Sequence, residues 1–193
     1  GNTPNVLLRG HFDNELWALA THPKKDKYYT AGQDLMLAIW DVKSRSIEKF
    51  TTVPDQIEVM AISPDAKTLA LGCKSGDLYI YDAVNLTQKA KKHDRKQPIS
   101  EIKFSPNGEW LVVGSVDFLI FVYDKNFNLQ KKMKGHVSRV THIDFSEDSN
   151  VLQSNSTSYD VLFHNIESGK QVPNGASSYK DEKWSTYSCV LGW

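Results

Sequence analysis

Two cysteines and six histidines are the side chains that could support nucleophilic or metal chemistry in this sequence. A thiol beside a histidine becomes a nucleophile when the imidazole takes its proton. Cys73, however, closes the apolar run "TLALGC" (68–73), which is where a packed, inert thiol belongs. His136 and His142 stand six residues apart with no cysteine or further histidine nearby, a poor spacing for zinc. "GCKSGD" (72–77) bears glycines but lies between two strand-like runs and opens no helix, so it reads as a hairpin turn and not a phosphate loop. No G-x-S-x-G nucleophile elbow occurs. The polar members of the candidate inner strands are Glu58, Glu101, His142 and Asp144, and they do not form a repeated ligand set. The reading is a non-enzymatic chain with no catalytic residue, metal site or cofactor. The competing reading in another class is a hydrolase or metalloenzyme working in a central channel.

The elements that carry these residues return on a regular beat. "LAIWD" (37–41), "LYIYD" (78–82), "IFVYD" (120–124) and "VLFHN" (161–165) recur every 41–42 residues. Ahead of each lie two more runs. "LWALATHP" (16–23), "EVMAISPD" (58–65), "EIKFSPNG" (101–108) and "THIDFSED" (141–148) end in turn residues. "KYYTAG" (27–32), "TLALGC" (68–73), "WLVVGS" (110–115) and "VLQSNS" (151–156) follow. A polar fourth run closes each unit: "SIEKF" (46–50), "TQKAKK" (87–92), "LQKKM" (129–133) and roughly "KQV" (170–172). Lysines on such an edge discourage stray pairing. Four strands per unit with hairpin-length connections is the pattern of a β-propeller blade. No segment shows a helical apolar period of useful length.

The expected fold is therefore all-β: a WD40-type β-propeller fragment of four four-stranded antiparallel blades, with a flanking strand at each end. The blades are expected at 10–50, 51–92, 93–133 and 134–173. "NVLLR" (5–9) reads as the outermost strand of a preceding blade, and 184–193 as the first strand of a following one. Both ends read as cuts within a longer chain. Four blades leave two bare end faces that need a partner.

In the first unit His11, Thr30, Asp34 and Trp40 have the spacing of the WD-repeat hydrogen-bond network, a resemblance to the WD40 family. Asp117 and His136 are the recurrences assigned to it in later units. The Asp position becomes Ser75 in the second unit and Ser158 in the fourth. The Trp position becomes Tyr81, Tyr123 and His164.

A narrower likeness rests on "GHFDNELWALATHP", "GQDLMLAIWD", "GHVSRVTHIDFSEDSNVLQSNSTSYDVLFHN" and "WSTYSCVLGW". The chain resembles the C-terminal portion of the echinoderm microtubule-associated protein-like family. His11, Leu16, Trp17, Ala20, His22 and Pro23 match one family motif. Ser154, Asn155, Ser156 and Tyr159 match a second, and Cys189, Val190, Leu191 and Gly192 a third. Asn14 interrupts the first motif, and His164–Asn165 replaces Trp–Asp. The resemblance implies tandem propellers forming one module that binds soluble tubulin. It also implies a separate N-terminal coiled coil, for which this stretch shows no heptads.

Composition agrees with a protein-binding role. The 193 residues carry 23 basic and 23 acidic side chains, a formal net charge of zero, which argues against general nucleic-acid binding. No apolar run reaches membrane-spanning length, and no secretion leader is visible, so no membrane partner is expected. Two cysteines are too few for a disulfide framework and suit a cytoplasmic setting, to which the resemblance adds the cytoskeleton. The runs "KAKKHDRK" (89–96) and "KKMK" (131–134) fall at equivalent blade positions, with "PKKDK" (23–27) expected on the opposite face. Lys89, Lys91, Lys92, Arg95, Lys96, Lys131 and Lys132 form the candidate patch for an acidic partner, tubulin or microtubules by the resemblance. The alternative is a generic WD40 scaffold for another multiprotein complex. Copies are also expected to associate through the open blade faces.

Overall fold

The computed structural model describes residues 10–191. Its fifteen strands fall into four separate antiparallel sheets, and among the described residues no strand ladder continues from one sheet into the next. Blade one holds β1 (Leu16–Thr21), β2 (Lys27–Gly32), β3 (Met36–Asp41) and β4 (Ser46–Thr52). Blade two holds β5 (Ile57–Ile62), β6 (Thr68–Cys73), β7 (Leu78–Asp82) and β8 (Gln88–Lys92). Blade three holds β9 (Ile99–Phe104), β10 (Trp110–Ser115), β11 (Ile120–Asp124) and β12 (Leu129–Met133). Blade four holds β13 (Val140–Phe145), β14 (Val151–Ser156) and β15 (Val161–Asn165). Within each sheet the strands lie in chain order, as hairpin connections demand. These are propeller blades, with almost no helix.

The blades stack through their apolar faces. Leu37, Ile39, Leu69 and Leu71 fill the space between blades one and two. Leu78, Ile80, Ile102, Leu111, Phe121 and Tyr123 fill the next interval, and Val112, Val122, Ile143 and Leu152 the third. In blades two and three the second and third strands are buried on nearly every residue because a neighbour covers each side. The innermost strands β1, β5, β9 and β13 contact one another in sequence around the axis.

The hairpins repeat as closely as the strands. Ser63 Oγ donates to Asp65 and accepts from the backbone of Thr68, and Ser105 and Ser146 do the same with Asn107 and Asp148. That is the physical content of the recurring "SPD", "SPN" and "SED". Left-handed backbone recurs at Leu35, Gly76, Phe118 and Tyr159, and again at Arg45, Leu86, Phe127 and Gly169. Only some of these are glycine, so the repeat is imposed by hairpin geometry at residues that pay a conformational cost.

Blade four departs from the pattern. Its fourth-strand place is a single bridge, His164↔Gln171, after which a one-turn helix α1 (Gly175–Ser178) turns the chain back over the sheet. Residues 184–191 form no strand of a further sheet. They touch the free edge of β13 at one bridge, Ser146↔Trp184, and run on across β14. The physical reason is apolar cover: Phe163 packs against Tyr179 and Trp184, with ring centroids 5.9 and 6.0 Å apart. The expected strand 5–9 lies outside the described residues, as do Gly192 and Trp193.

Candidate protein-interaction surface

The four blades present their inter-blade loops (10–15, 53–56, 93–98 and 134–139) at the same end as the β2–β3 type turns. The polar networks at this end set the loop geometry. In blade one His11 Nδ1 lies 2.7 Å from Asp34 Oδ2, and its Nε2 lies 2.7 Å from Thr30 Oγ1. Trp40 Nε1 donates to Thr30 Oγ1 at 2.6 Å. With a neutral imidazole the proton sits on Nδ1 facing the carboxylate, and the Thr30 hydroxyl donates to Nε2. Asp34 Oδ1 also accepts from the backbone of Met36, which closes the turn.

Blade four builds a related network with one displaced member. His136 reaches Ser154 Oγ at 2.7 Å and, at 2.9 Å, Asp160. Ser158, the position expected from the register, leaves the role to Asp160, which also accepts from Ser156. Asp160 is the sole acid of that turn and was the available signal. His164 replaces the tryptophan and holds the carbonyl of Lys134 through Nε2 at 3.3 Å. Burial lowers its pKa.

In blade three Asp117 accepts only from its own turn, at the backbone of Leu119. Arg95 stands four residues before Ile99, as His136 stands four before Val140, and takes over the site. It is buried, at 4% exposure. Its guanidinium lies 4.1 Å from the Phe121 ring centroid and donates to the Tyr123 hydroxyl, which donates to Asp94 at 2.8 Å. Burial lowers the Arg95 pKa and raises that of Tyr123. Arg95 is therefore corrected from a patch residue to a core cation, because two aromatic rings cover it.

The rest of the basic patch also divides. Consecutive residues of a strand point to opposite faces. Lys132 accordingly lies over Phe121 at 5.1 Å, while Lys131 lies over Trp110 at 4.9 Å and donates to the carbonyl of Ile166 on the blade-four side. Lys89 pairs with Asp82 at 3.0 Å and reaches the carbonyl of Lys67 at the opposite end of the blade. Lys91 sits over Tyr79 and pairs with Asp77 at 2.7 Å. Burial acts to raise the Asp77 carboxyl, and Lys91 and His93 outweigh it and hold it below the usual range. Lys91, Lys92 and Lys96 remain as the basic stretch at the loop end. One sheet face does not gather all seven cations, because strand alternation separates them.

Chemistry-bearing residues near the axis do not converge on a site. Among the described residues no group of three or more His, Cys, Asp or Glu side chains could hold a metal. Cys73 and Cys189 are buried, and burial raises both thiols. Glu101 on β9 is the exception in titration: burial raises its pKa to about 7, with Lys103 at 3.8 Å opposing. The unfolded chain ionises this carboxyl near 4.5, so between about pH 4.5 and 7 the folded state loses stability as pH rises. Glu101→Gln should therefore gain on the order of 2 kcal/mol over the parent above pH 7 and little at pH 4. Urea titrations at the two pH values check this; an equal effect at both would remove the burial explanation.

Residues 16–193 match the family model described as "Echinoderm microtubule-associated protein second beta-propeller". The chain belongs to the echinoderm microtubule-associated protein-like family. It is 33% identical over 208 residues to Echinoderm microtubule-associated protein-like 4 of Xenopus laevis, covering 100% of this chain and 22% of that protein. It is 32% identical to the human protein-like 3 over 210 residues, covering 100% of this chain and 23% of that protein. To the human protein-like 2 it is 33% identical over 193 residues, covering 97% and 29%. The chain thus spans between about a fifth and under a third of the length of these curated relatives.

For a member of this family, the loop end carries a feature that charge runs and motif spacing did not expose. Phe12, Val137 and Tyr159 are 90%, 73% and 83% exposed there, and Phe118 is partly so. Phe12 and Val137 each follow a Gly-His pair, and that shared position was the signal in the sequence. Among the described residues no helix is long and apolar enough to cross a membrane.

Proposed function

We propose that this chain is a non-enzymatic protein-binding module of a microtubule-associated protein and forms part of a tubulin-binding propeller in a cytoplasmic, cytoskeletal setting. The observation that carries the reading is about one-third identity along the whole chain to relatives named as microtubule-associated proteins. The loop end supports it chemically. Exposed Phe12, Val137 and Tyr159 supply apolar contact, and Lys91, Lys92 and Lys96 supply positive charge for an acidic protein. Trp17 and Leu19 stay exposed on the β1 side turned away from blade two, which supports association of that face with another apolar face.

The test is gel filtration with soluble tubulin and pelleting with polymerised microtubules, on this chain and on a longer protein containing it. Binding is expected at low ionic strength and should weaken with added salt. Lys92→Glu with Lys96→Glu should slow association and flatten that salt dependence. Failure of both proteins to bind either form of tubulin would favour the generic scaffold reading.

A further inference from the structure

Where the tail crosses blade four it leaves a hollow of about 310 Å³ at the loop end. His142, Asn155, Thr157, Tyr159, Val190 and Leu191 line it. His142 and Asn155 are cross-strand partners, so their side chains stand on one face of the sheet.

Asn155 is fully buried. The backbone N–H of Leu191 donates to its Oδ1 at 3.2 Å. A backbone N–H only donates, so this bond decides which end of the amide is oxygen. Nδ2 is then buried with no acceptor. A buried amide donor left unpaired is a cost that folded proteins rarely carry without a use.

The turn beside the hollow carries Tyr159 at φ +62°, the left-handed position that Leu35, Gly76 and Phe118 occupy in the other blades. The strained turn holds an aromatic ring that is 83% exposed. Ser158 N donates to Ser138 Oγ at 2.8 Å, which ties the turn to the loop bearing exposed Val137. The tail is anchored just upstream, where Asp144 holds Ser185, Thr186 and Ser188 and Ser188 Oγ donates to the carbonyl of Ile143 at 3.0 Å. Beyond that anchor Cys189 Sγ–H donates to the carbonyl of Gln153 at 3.5 Å and Leu191 N–H to Asn155, which fixes the wall of the hollow.

The lining also selects the ligand. Its apolar wall is Tyr159, Val190 and Leu191; the rest of the lining is Thr141, His142, Ser156, Thr157 and Asn155, whose orphaned donor lies buried just behind the surface, and it contains no Lys, Arg or acid. An anion would shed its water here with no permanent cation to compensate, since burial and then Lys103 lower the pKa of His142. A neutral carbonyl needs only the one donor. The carboxylate that follows Tyr159 in the turn, Asp160, is already engaged by His136 and Ser156.

We propose that this hollow receives an extended peptide segment of a partner protein. One backbone carbonyl of that segment accepts from Asn155 Nδ2. An adjacent aliphatic or aromatic side chain packs between Tyr159, Val190 and Leu191. The assignment does not depend on the partner being tubulin.

The test is an NMR titration of the protein with N-acetyl-leucine methylamide, read at the Asn155 side-chain amide and the backbone amides of Tyr159 and Leu191. Saturable shifts at these groups are expected, with a dissociation constant of roughly millimolar order for so small a probe. Asn155→Asp keeps an acceptor for Leu191 and removes the donor, and should weaken binding about tenfold or more. Tyr159→Gly relieves the left-handed turn, so it should fold at least as well as the parent and still lose affinity. Shifts scattered over the surface, or affinity unchanged in both variants, would overturn the assignment. So would isovalerate, a carboxylate of the same shape, binding as tightly as the amide.

Discussion

Phe121→Ala should destabilise the protein by about 3–5 kcal/mol, the largest loss expected of any single truncation in the stack. Phe121 is 1% exposed in the interval between blades two and three. The change removes its buried surface and leaves a cavity that β-sheets on both sides are too stiff to close. It also strips the ring from beneath the Arg95 guanidinium, 4.1 Å away. Arg95 Nε already lacks a hydrogen-bond partner, so the cation would keep only its bonds to Tyr123 and the carbonyl of Gly76 and the attraction of Asp94 and Asp117. In denaturant titrations the midpoint should fall without a change in slope, and the melting temperature by roughly 10 °C. A loss below about 1 kcal/mol would mean that the blades do not depend on this interval for cohesion. A change in slope would show blades three and four unfolding apart from blades one and two.

The choice of Phe121 shows what was legible before any coordinates. The third-strand runs ending at Asp41, Asp82 and Asp124 repeat in the sequence because each must fill the same space between neighbours. The buried second strands and polar fourth strands follow for the same reason. The left-handed turn residues were not legible. Leu35, Arg45, Leu86 and Phe127 carry no preference for that conformation, which the closing hairpin imposes. The networks were half legible. A spacing rule finds His11 and Asp34, but Asp160 reaches His136 from two residues beyond the expected place. Arg95 was misread because a cation in a lysine-rich run looks solvated until Phe121 and Tyr123 close over it. The splitting of Lys131 from Lys132 was available from the two-residue period of a strand and needed no structure. The orphaned Asn155 donor depends on where the tail returns, and no local pattern encodes that.

Asp144 is the residue on which that return depends, and its removal gives the second large effect. It is fully buried on β13. Its carboxylate accepts from the Ser185 hydroxyl at 3.0 Å, the Thr186 hydroxyl at 2.8 Å, and the backbone N–H groups of Thr186 and Ser188. It also accepts from its neighbour Phe145 N at 3.0 Å. Charge-assisted bonds of this kind are the stronger ones, and losing a buried acceptor leaves several donors unpaired together. Asp144→Ala should cost on the order of 3 kcal/mol. The loss should be local first: amide exchange should accelerate at 185–191 and at Trp184, while β10 and β11 keep their protection. Asp144→Asn should fall between, because its Oδ1 can still accept whereas its amide nitrogen faces donors. Uniform acceleration across all four blades would show instead that Asp144 secures the arc as a whole, and the tail would then be an integral part of the stack and not a separately held cover.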